Sequence, residues 1–326
     1  MSALHLGVDI GGTNIKFGVV DESGKVLLQK RTETEAQRGS DAIVTAIGRE
    51  IESLLKDPLL RGKPLQSIGL GVPGTADSEN GICVYAPNLS WRNVELAAAL
   101  QPVFHTPVFV AQDTRAAAWA EYLVGEGRGL RGLAAVTLGT GIGCGLVLDG
   151  RIFHGALNTA GEFGHQIVAV EGEACNCGRR GCLEAHAGGL AIVREAKKRI
   201  AGLDALLGKD SSNATVADIY RLAEQDQPQA RKLTDDVVRF AGIGLVNLIN
   251  LTSVEMICLS GGISNAPRHL LLDPLVEFVR SRAYEPVSEK VRICRSALGE
   301  DAPMIGAALL CRGIAGPAQP QAARAT

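Results

Sequence analysis

Aromatic side chains make up only 4% of this 326-residue chain, and neither charge sign dominates: 33 Lys and Arg stand against 35 Asp and Glu. Without a basic stripe, the sequence lacks the electrostatic footprint of nucleic-acid binding, and no nucleic acid is expected as a partner. No apolar run approaches the ~18 residues of a membrane span, so no membrane partner is expected. The N-terminal stretch MSALHLGVDIGG lacks the charged, apolar and cleavable regions of a secretory signal. A cytoplasmic location is therefore expected. What is abundant is glycine, 39 of 326 residues (12%), against a usual ~7%. Collagen would need a strict three-residue period, and low complexity conflicts with a 46% hydrophobic content. The glycines are expected in loops where backbone turns or closely approaches a ligand.

The order of elements indicates an α/β protein. Residues 4–9, 15–20 and 25–30 have strand character and form an opening meander. A helix is expected over 40–56, strands at 67–72 and 107–111, and a helix from Thr114 to Val124. Segments 133–138, 143–149 and 151–153 repeat the opening meander. A constant shift lays DIGGTNIKFGVVD (9–21) over TLGTGIGCGLVLD (137–149), matching Gly11 with Gly139, Val19 with Val147 and Asp21 with Asp149. This suggests two homologous halves. Helices are expected at 189–201, 215–225 and 228–251, a strand at 255–260, and a closing helix after Pro303. The final GPAQPQAARAT is expected to fray.

Three glycine-rich turns carry chemical content. In the first, Asp9 ends a strand, Gly11 and Gly12 form a tight turn, and Thr13 and Lys16 follow. Exposed amides and the Thr13 hydroxyl can meet phosphate oxygens, Lys16 can add charge, and Asp9 can hold a water-bound Mg²⁺. Gly139, Thr140 and Gly141 offer a second amide cradle, so that a polyphosphate could be gripped from both halves. Gly261 and Gly262 end a strand and could lie against a base or ribose. An ordinary hairpin turn is the alternative for either phosphate loop. Neither fits a Walker loop or the dinucleotide fingerprint.

Three of the eight cysteines stand close together. With His165, the run Cys175, Cys177 and Cys182 supplies three thiols and an imidazole, the donor set of a closed tetrahedral zinc site. Gly178 and Gly181 would permit the tight turns. Such a zinc is structural, and would fix the second ring nitrogen of His165 as a donor. The alternative is a group of buried free thiols. Cys83, Cys144, Cys258, Cys294 and Cys311 lie scattered among apolar residues and read as ordinary unpaired thiols.

These motifs together resemble the sugar kinases of the actin, hexokinase and Hsp70 ATPase superfamily. Ala160-Gly-Glu-Phe-Gly-His165, followed by Cys175-Asn-Cys-Gly-Arg-Arg-Gly-Cys-Leu-Glu184, resembles the signature of the ROK family (repressors, open reading frames, kinases). The resemblance runs from Gly7 to about Gly313. Ala-Pro-Asn-Leu-Ser-Trp (86–91) is most similar to the family's bacterial glucokinases. It implies a two-lobed fold of duplicated ribonuclease H-like domains with an interlobe active-site cleft. The lobes would be 1–112 plus 301–326, and 113–300. It further implies ATP with Mg²⁺, structural Zn²⁺, a hexose substrate, and a homodimer or homotetramer. The family's repressors carry a helix-turn-helix domain before this region, and none is expected ahead of Asp9.

Phosphorylating a hydroxyl requires a base near the attacking oxygen. Asp113, between a strand and a helix, is suited to that role, although a helix N-cap reads equally well from the residues alone. By resemblance Asp113 occupies the aspartate of the family's Asn-Asp-Ala-Asn segment, here Gln112-Asp113-Thr114-Arg115, with both asparagines replaced. The resemblance assigns sugar contacts to Asn88, Asp113, Glu162, His165 and Glu184. It implies ATP-dependent phosphorylation of glucose at its 6-hydroxyl. N-acetylglucosamine or N-acetylmannosamine kinases and a non-catalytic sugar sensor are the alternatives.

Overall fold

The structure, a computed structural model, describes residues 3–313. The expected frayed tail lies outside them. Along the chain run β1 (Leu4–Ile10), β2 (Asn14–Asp21), β3 (Val26–Glu33), α1 (Ser40–Leu55), β4 (Leu65–Val72), β5 (Thr75–Asp77), β6 (Ile82–Ala86), β7 (Trp91–Val94), α2 (Leu96–Phe104), β8 (Val108–Gln112) and α3 (Asp113–Leu123). Then follow β9 (Leu133–Leu138), β10 (Ile142–Leu148), β11 (Arg151–Ile152), α4 (Leu183–Ala187), α5 (Gly189–Arg199), α6 (Leu203–Leu207), α7 (Val216–Glu224) and α8 (Pro228–Thr252). The chain continues through β12 (Met256–Ser260), α9 (Leu272–Arg280), α10 (Val287–Lys290), β13 (Arg292–Arg295) and α11 (Ala302–Ala308).

The chain divides into two compact units: 1–129 with 145–160 and 301–326, and 130–144 with 161–300. The boundary expected at 112/113 differs from this division, which keeps α3 with the first unit. The reason lies in α11, whose Gly306 packs directly on the Ala116 carbonyl of α3.

In the first unit the sheet order is β3-β2-β1-β4-β8, and β1, β4 and β8 run parallel. Helix α1 places Ile43, Ile47, Ile51 and Leu54 on one face, the spacing of an amphipathic helix. That face joins Leu6, Phe17, Ile68 and Leu70 in one core. Gly18, Gly7 and Gly69 lie side by side across β2, β1 and β4. A Cβ would run into Met304 at Gly7 and Gly18, and into the Ala307 carbonyl at Gly69. Part of the glycine surplus therefore makes a flat floor for α11, whereas composition had suggested loops alone.

The second sheet has the order β11-β10-β9-β12-β13, with β10 crossing the unit boundary at Cys144/Gly145. Its β9, β12 and β13 run parallel, matching β1, β4 and β8 in the first sheet. The internal sequence repeat thus corresponds to a repeated topology. Long α8 buries Leu233, Val237, Ala241, Leu245 and Ile249 within the second unit.

Most expected elements are present, with boundaries shifted slightly. The sequence reading missed the β5-β6-β7 sheet, β13 and the helices α2, α4, α6, α9 and α10. Among the isolated cysteines, Cys83, Cys144 and Cys258 are buried while Cys294 and Cys311 are partly exposed. No helix among the described residues is long and apolar enough to cross a membrane.

Candidate active site and metal cluster

The C-terminal ends of β1, β4 and β8 collect the first unit's candidate residues. Asp9 on β1 pairs across the ladder with Lys16 on β2 and, on its other side, with Gly71 on β4. The neighbouring Val72 pairs with Gln112 of β8, immediately before Asp113. A Cβ at Gly71 would lie 3.5 Å from the Asp113 Cα, so glycine here leaves room between the two carboxylate-bearing strand ends.

Asp9 is half-buried. Burial pushes its carboxyl up to about 6, against the pull of Lys16 and with a further push from Asp301. Lys16 Nζ stands 3.7 Å from Asp301 Oδ1, which also accepts a 2.8 Å hydrogen bond from Gln29 Nε2. Asp301, at the N-terminus of α11, carries no signal in the sequence. Its nearness to Lys16 depends on the chain returning to the first sheet close to its C-terminal end.

The turn Gly11-Gly12-Thr13 is closed by a 2.9 Å bond from Gly11 N–H to Asn14 O. Both Gly12 and Thr13 are exposed, and Asn88 lies beside the turn, its Cβ 3.6 Å from where a Gly12 Cβ would sit. Asp113 is the first residue of α3, with Gln112 at the cap position, so it is not the N-cap itself. Its Oδ1 accepts from the Thr114 N–H at 2.6 Å.

Arg115 is only 1% exposed. Its guanidinium donates to the carbonyls of Asn158 (2.8 Å) and Ala160 (3.0 Å) and faces His154 Nδ1 at 3.4 Å. Burial and the Arg115 charge hold His154 below its ordinary range. The arginine that replaces the family asparagine is thus turned into protein, where it braces the segment ending at Ala160.

In the second unit, Gly139-Thr140-Gly141 takes the place of the first turn between β9 and β10 but closes one residue sooner, with Gly139 N–H bonded to Gly141 O at 2.9 Å. The first amides of α5 hold its carbonyls: Gly189 N–H to Gly139 O (2.8 Å) and Leu190 N–H to Thr140 O (3.3 Å). Glu184 Oε2 accepts from Ile142 N–H at 2.8 Å and occupies the space beside Gly141 that a side chain would need. Glu184 therefore also supports the loop. Gly261, with φ +85°, lets the turn after β12 approach the Leu138 carbonyl, while Gly262 faces open space. The second loop and the Gly261–Gly262 turn are accordingly neighbours.

His165, Cys175, Cys177 and Cys182 come together with ligand atoms all within 4.8 Å of one another. His165 Nδ1 lies 3.7 Å from Cys175 Sγ, and Cys177 Sγ 3.7 Å from Cys182 Sγ. A tetrahedron with Zn–S of about 2.3 Å and Zn–N of about 2.0 Å has edges of about 3.8 Å and about 3.5 Å, so these spacings fit such an ion. Cys175 and Cys182 are buried and Cys177 is exposed. Gly178 (φ +84°) and Gly181 (φ +77°) make the turns. The remaining His165 nitrogen, Nε2, points to Glu162 Oε2 at 3.9 Å.

Sequence reasoning missed Thr34, which bonds the first loop, as well as Asp301 and the bracing role of Arg115. No local pattern marks any of them, since each acts on a partner distant in sequence.

The family model of the ROK family matches residues 5–314. A glucokinase of Halalkalibacterium halodurans is 33% identical over 313 residues, covering 94% of each chain. A xylose repressor of Caldicellulosiruptor bescii is 28% identical over 92% of this chain and 76% of its own. The ROK glucokinase of Streptomyces griseus, solved with glucose and AMPPNP, is 33% identical with a TM-score of 0.79, covering 95% of this chain and 99% of that one. The repeated sheets are those of the actin/hexokinase-type ATPase fold, and the chain belongs to the ROK family.

Proposed function

We propose that the protein is an ATP-dependent sugar kinase that transfers the γ-phosphoryl group of ATP to the 6-hydroxyl of glucose. The observation that carries this reading is the pair of glycine turns, Gly11–Thr13 and Gly139–Gly141, each with its carbonyls drawn into its own unit. Turns of that kind present backbone amides to anions. Similarity to glucokinases over nearly the whole chain supports ATP as donor and glucose as acceptor.

In this reading Asp113 is the general base. Its carboxylate takes the proton from the sugar hydroxyl as that oxygen bonds to the γ-phosphorus and the bond to ADP breaks. Asn88, Glu162, His165 and Glu184 bind and orient the sugar hydroxyls. Gly11, Gly12, Thr13, Lys16, Gly139, Thr140 and Gly141 hold the phosphates, and Gly261 with Gly262 lies against the nucleoside. Asp9 would hold Mg²⁺ through water, and the ion would offset phosphate charge. Zinc on His165, Cys175, Cys177 and Cys182 would serve structure, since four protein ligands leave no open position.

A panel of hexoses and N-acetylhexosamines with ATP or polyphosphate, read for ADP and sugar phosphate, tests the proposal. Glucose-dependent ADP release with formation of glucose 6-phosphate is expected. Preference for an N-acetylhexosamine would move the substrate. The xylose-repressor similarity favours a second reading, a sugar sensor, which an absence of sugar-dependent ADP release would support.

A further inference from the structure

Thr34 is 3% exposed between two exposed glutamates, Glu33 and Glu35, just beyond the end of β3. A small polar side chain is buried there for a visible reason. Its Oγ1 donates to Gly11 O at 2.7 Å, and its backbone N–H donates to Thr13 O at 2.9 Å. One residue thereby satisfies the carbonyls at both ends of the first glycine turn. The N–H groups of Gly12 and Thr13 have no acceptor among the described residues, and both residues are exposed.

The second turn solves the same problem with different parts. There the carbonyls of Gly139 and Thr140 accept from Gly189 and Leu190 at the start of α5. A peptide plane has its carbonyl and the following N–H on opposite sides, so fixing the carbonyls of a short turn inward fixes the direction of its amides. At 139–141 a helix terminus with spare donors does this. At 11–13 no helix begins, and Thr34 supplies both donors.

We infer that Thr34 is a positioning residue for phosphate: it acts through the carbonyl of Gly11 to aim the amide of Gly12 at the nucleotide, while its bond to the carbonyl of Thr13 anchors the other end of the turn. This rests on the phosphate-binding reading of the first loop. Losing the hydroxyl would leave Gly11 O without its buried donor and free one end of the turn. Thr34→Val keeps the shape and the backbone N–H while removing the hydroxyl; Thr34→Ser keeps the hydroxyl.

The test is calorimetric titration of full-length wild type and both variants with Mg·AMPPNP and, separately, with glucose, alongside steady-state KM values. Thr34→Val is expected to weaken nucleotide binding about tenfold with glucose binding unchanged, and Thr34→Ser to stay within about twofold of wild type. An unchanged nucleotide Kd in Thr34→Val would overturn the inference. So would equal weakening for nucleotide and sugar, which marks a merely structural role. Wild type that fails to bind Mg·AMPPNP would overturn the kinase reading together with the inference, whereas normal wild-type binding with an unaffected Thr34→Val overturns the inference alone.

Discussion

Replacing Asp9 by asparagine should stabilise the unliganded protein at neutral pH while removing nucleotide-dependent function. Burial raises the Asp9 carboxyl from 3.8 to about 6 in the folded state. Well below pH ~4 the group is protonated in both folded and unfolded chains and costs nothing. As pH rises from about 4 to about 6 the unfolded chain ionises this carboxyl while the folded state still holds its proton, so stability is lost across that window and the loss is nearly complete above it. The cost of this displaced ionisation is about 3 kcal/mol at pH ~7.5 and about 1 kcal/mol at pH ~4.5. Asparagine has no such cost at either pH. The chain contains two tryptophans, Trp91 and Trp119, both buried in the first unit with Asp9, so their fluorescence during urea unfolding reports the relevant region. The gap in favour of Asp9→Asn should approach about 3 kcal/mol at the higher pH and shrink toward about 1 kcal/mol at the lower. A gap that is absent, reversed or independent of pH would refute the reasoning.

Asp113→Asn should leave binding of glucose and Mg·AMPPNP measurable by calorimetry while lowering kcat by several orders of magnitude; turnover within about tenfold of wild type would sink the base role. Cys177→Ser, or thorough chelation, should lower activity and the thermal midpoint together, and full activity in protein shown by elemental analysis to be metal-free would remove the zinc assignment. Arg115→Lys keeps the charge but cannot fork between the Asn158 and Ala160 carbonyls. It should cost about 1–3 kcal/mol in urea unfolding followed by tryptophan fluorescence, and an unchanged midpoint would show that the brace contributes nothing.

The duplicated strands were legible because β-branched runs punctuated by Gly-Gly carry their own signal, and the internal shift aligned residues that occupy matching turns. The cysteine cluster was legible because its four ligands, from His165 to Cys182, lie close together along the chain. In contrast, β5 and β7 have only three and four residues, too few for alternation to stand out, and Arg292–Arg295 is a four-residue edge strand in which two apolar residues sit between two arginines. Helix α2 contains Pro102, which argues against a helix locally although this one ends soon after it. Arg115 read as a departure from a motif, and nothing local marked it as a buried brace.

By itself the sequence determined the α/β class, the internal duplication, the turns and the donor set for a metal, because each depends on residues near one another in the chain or on a pattern repeated along it. Tertiary structure alone decided that Gly7, Gly18 and Gly69 form a floor for α11, that Asp301 reaches Lys16, and that Thr34 holds the first glycine turn. Those facts depend on strand register and on the return of the C-terminal helix, which bring together groups far apart in sequence. Proximity of that kind is a property of the packed chain, and no local pattern encodes it.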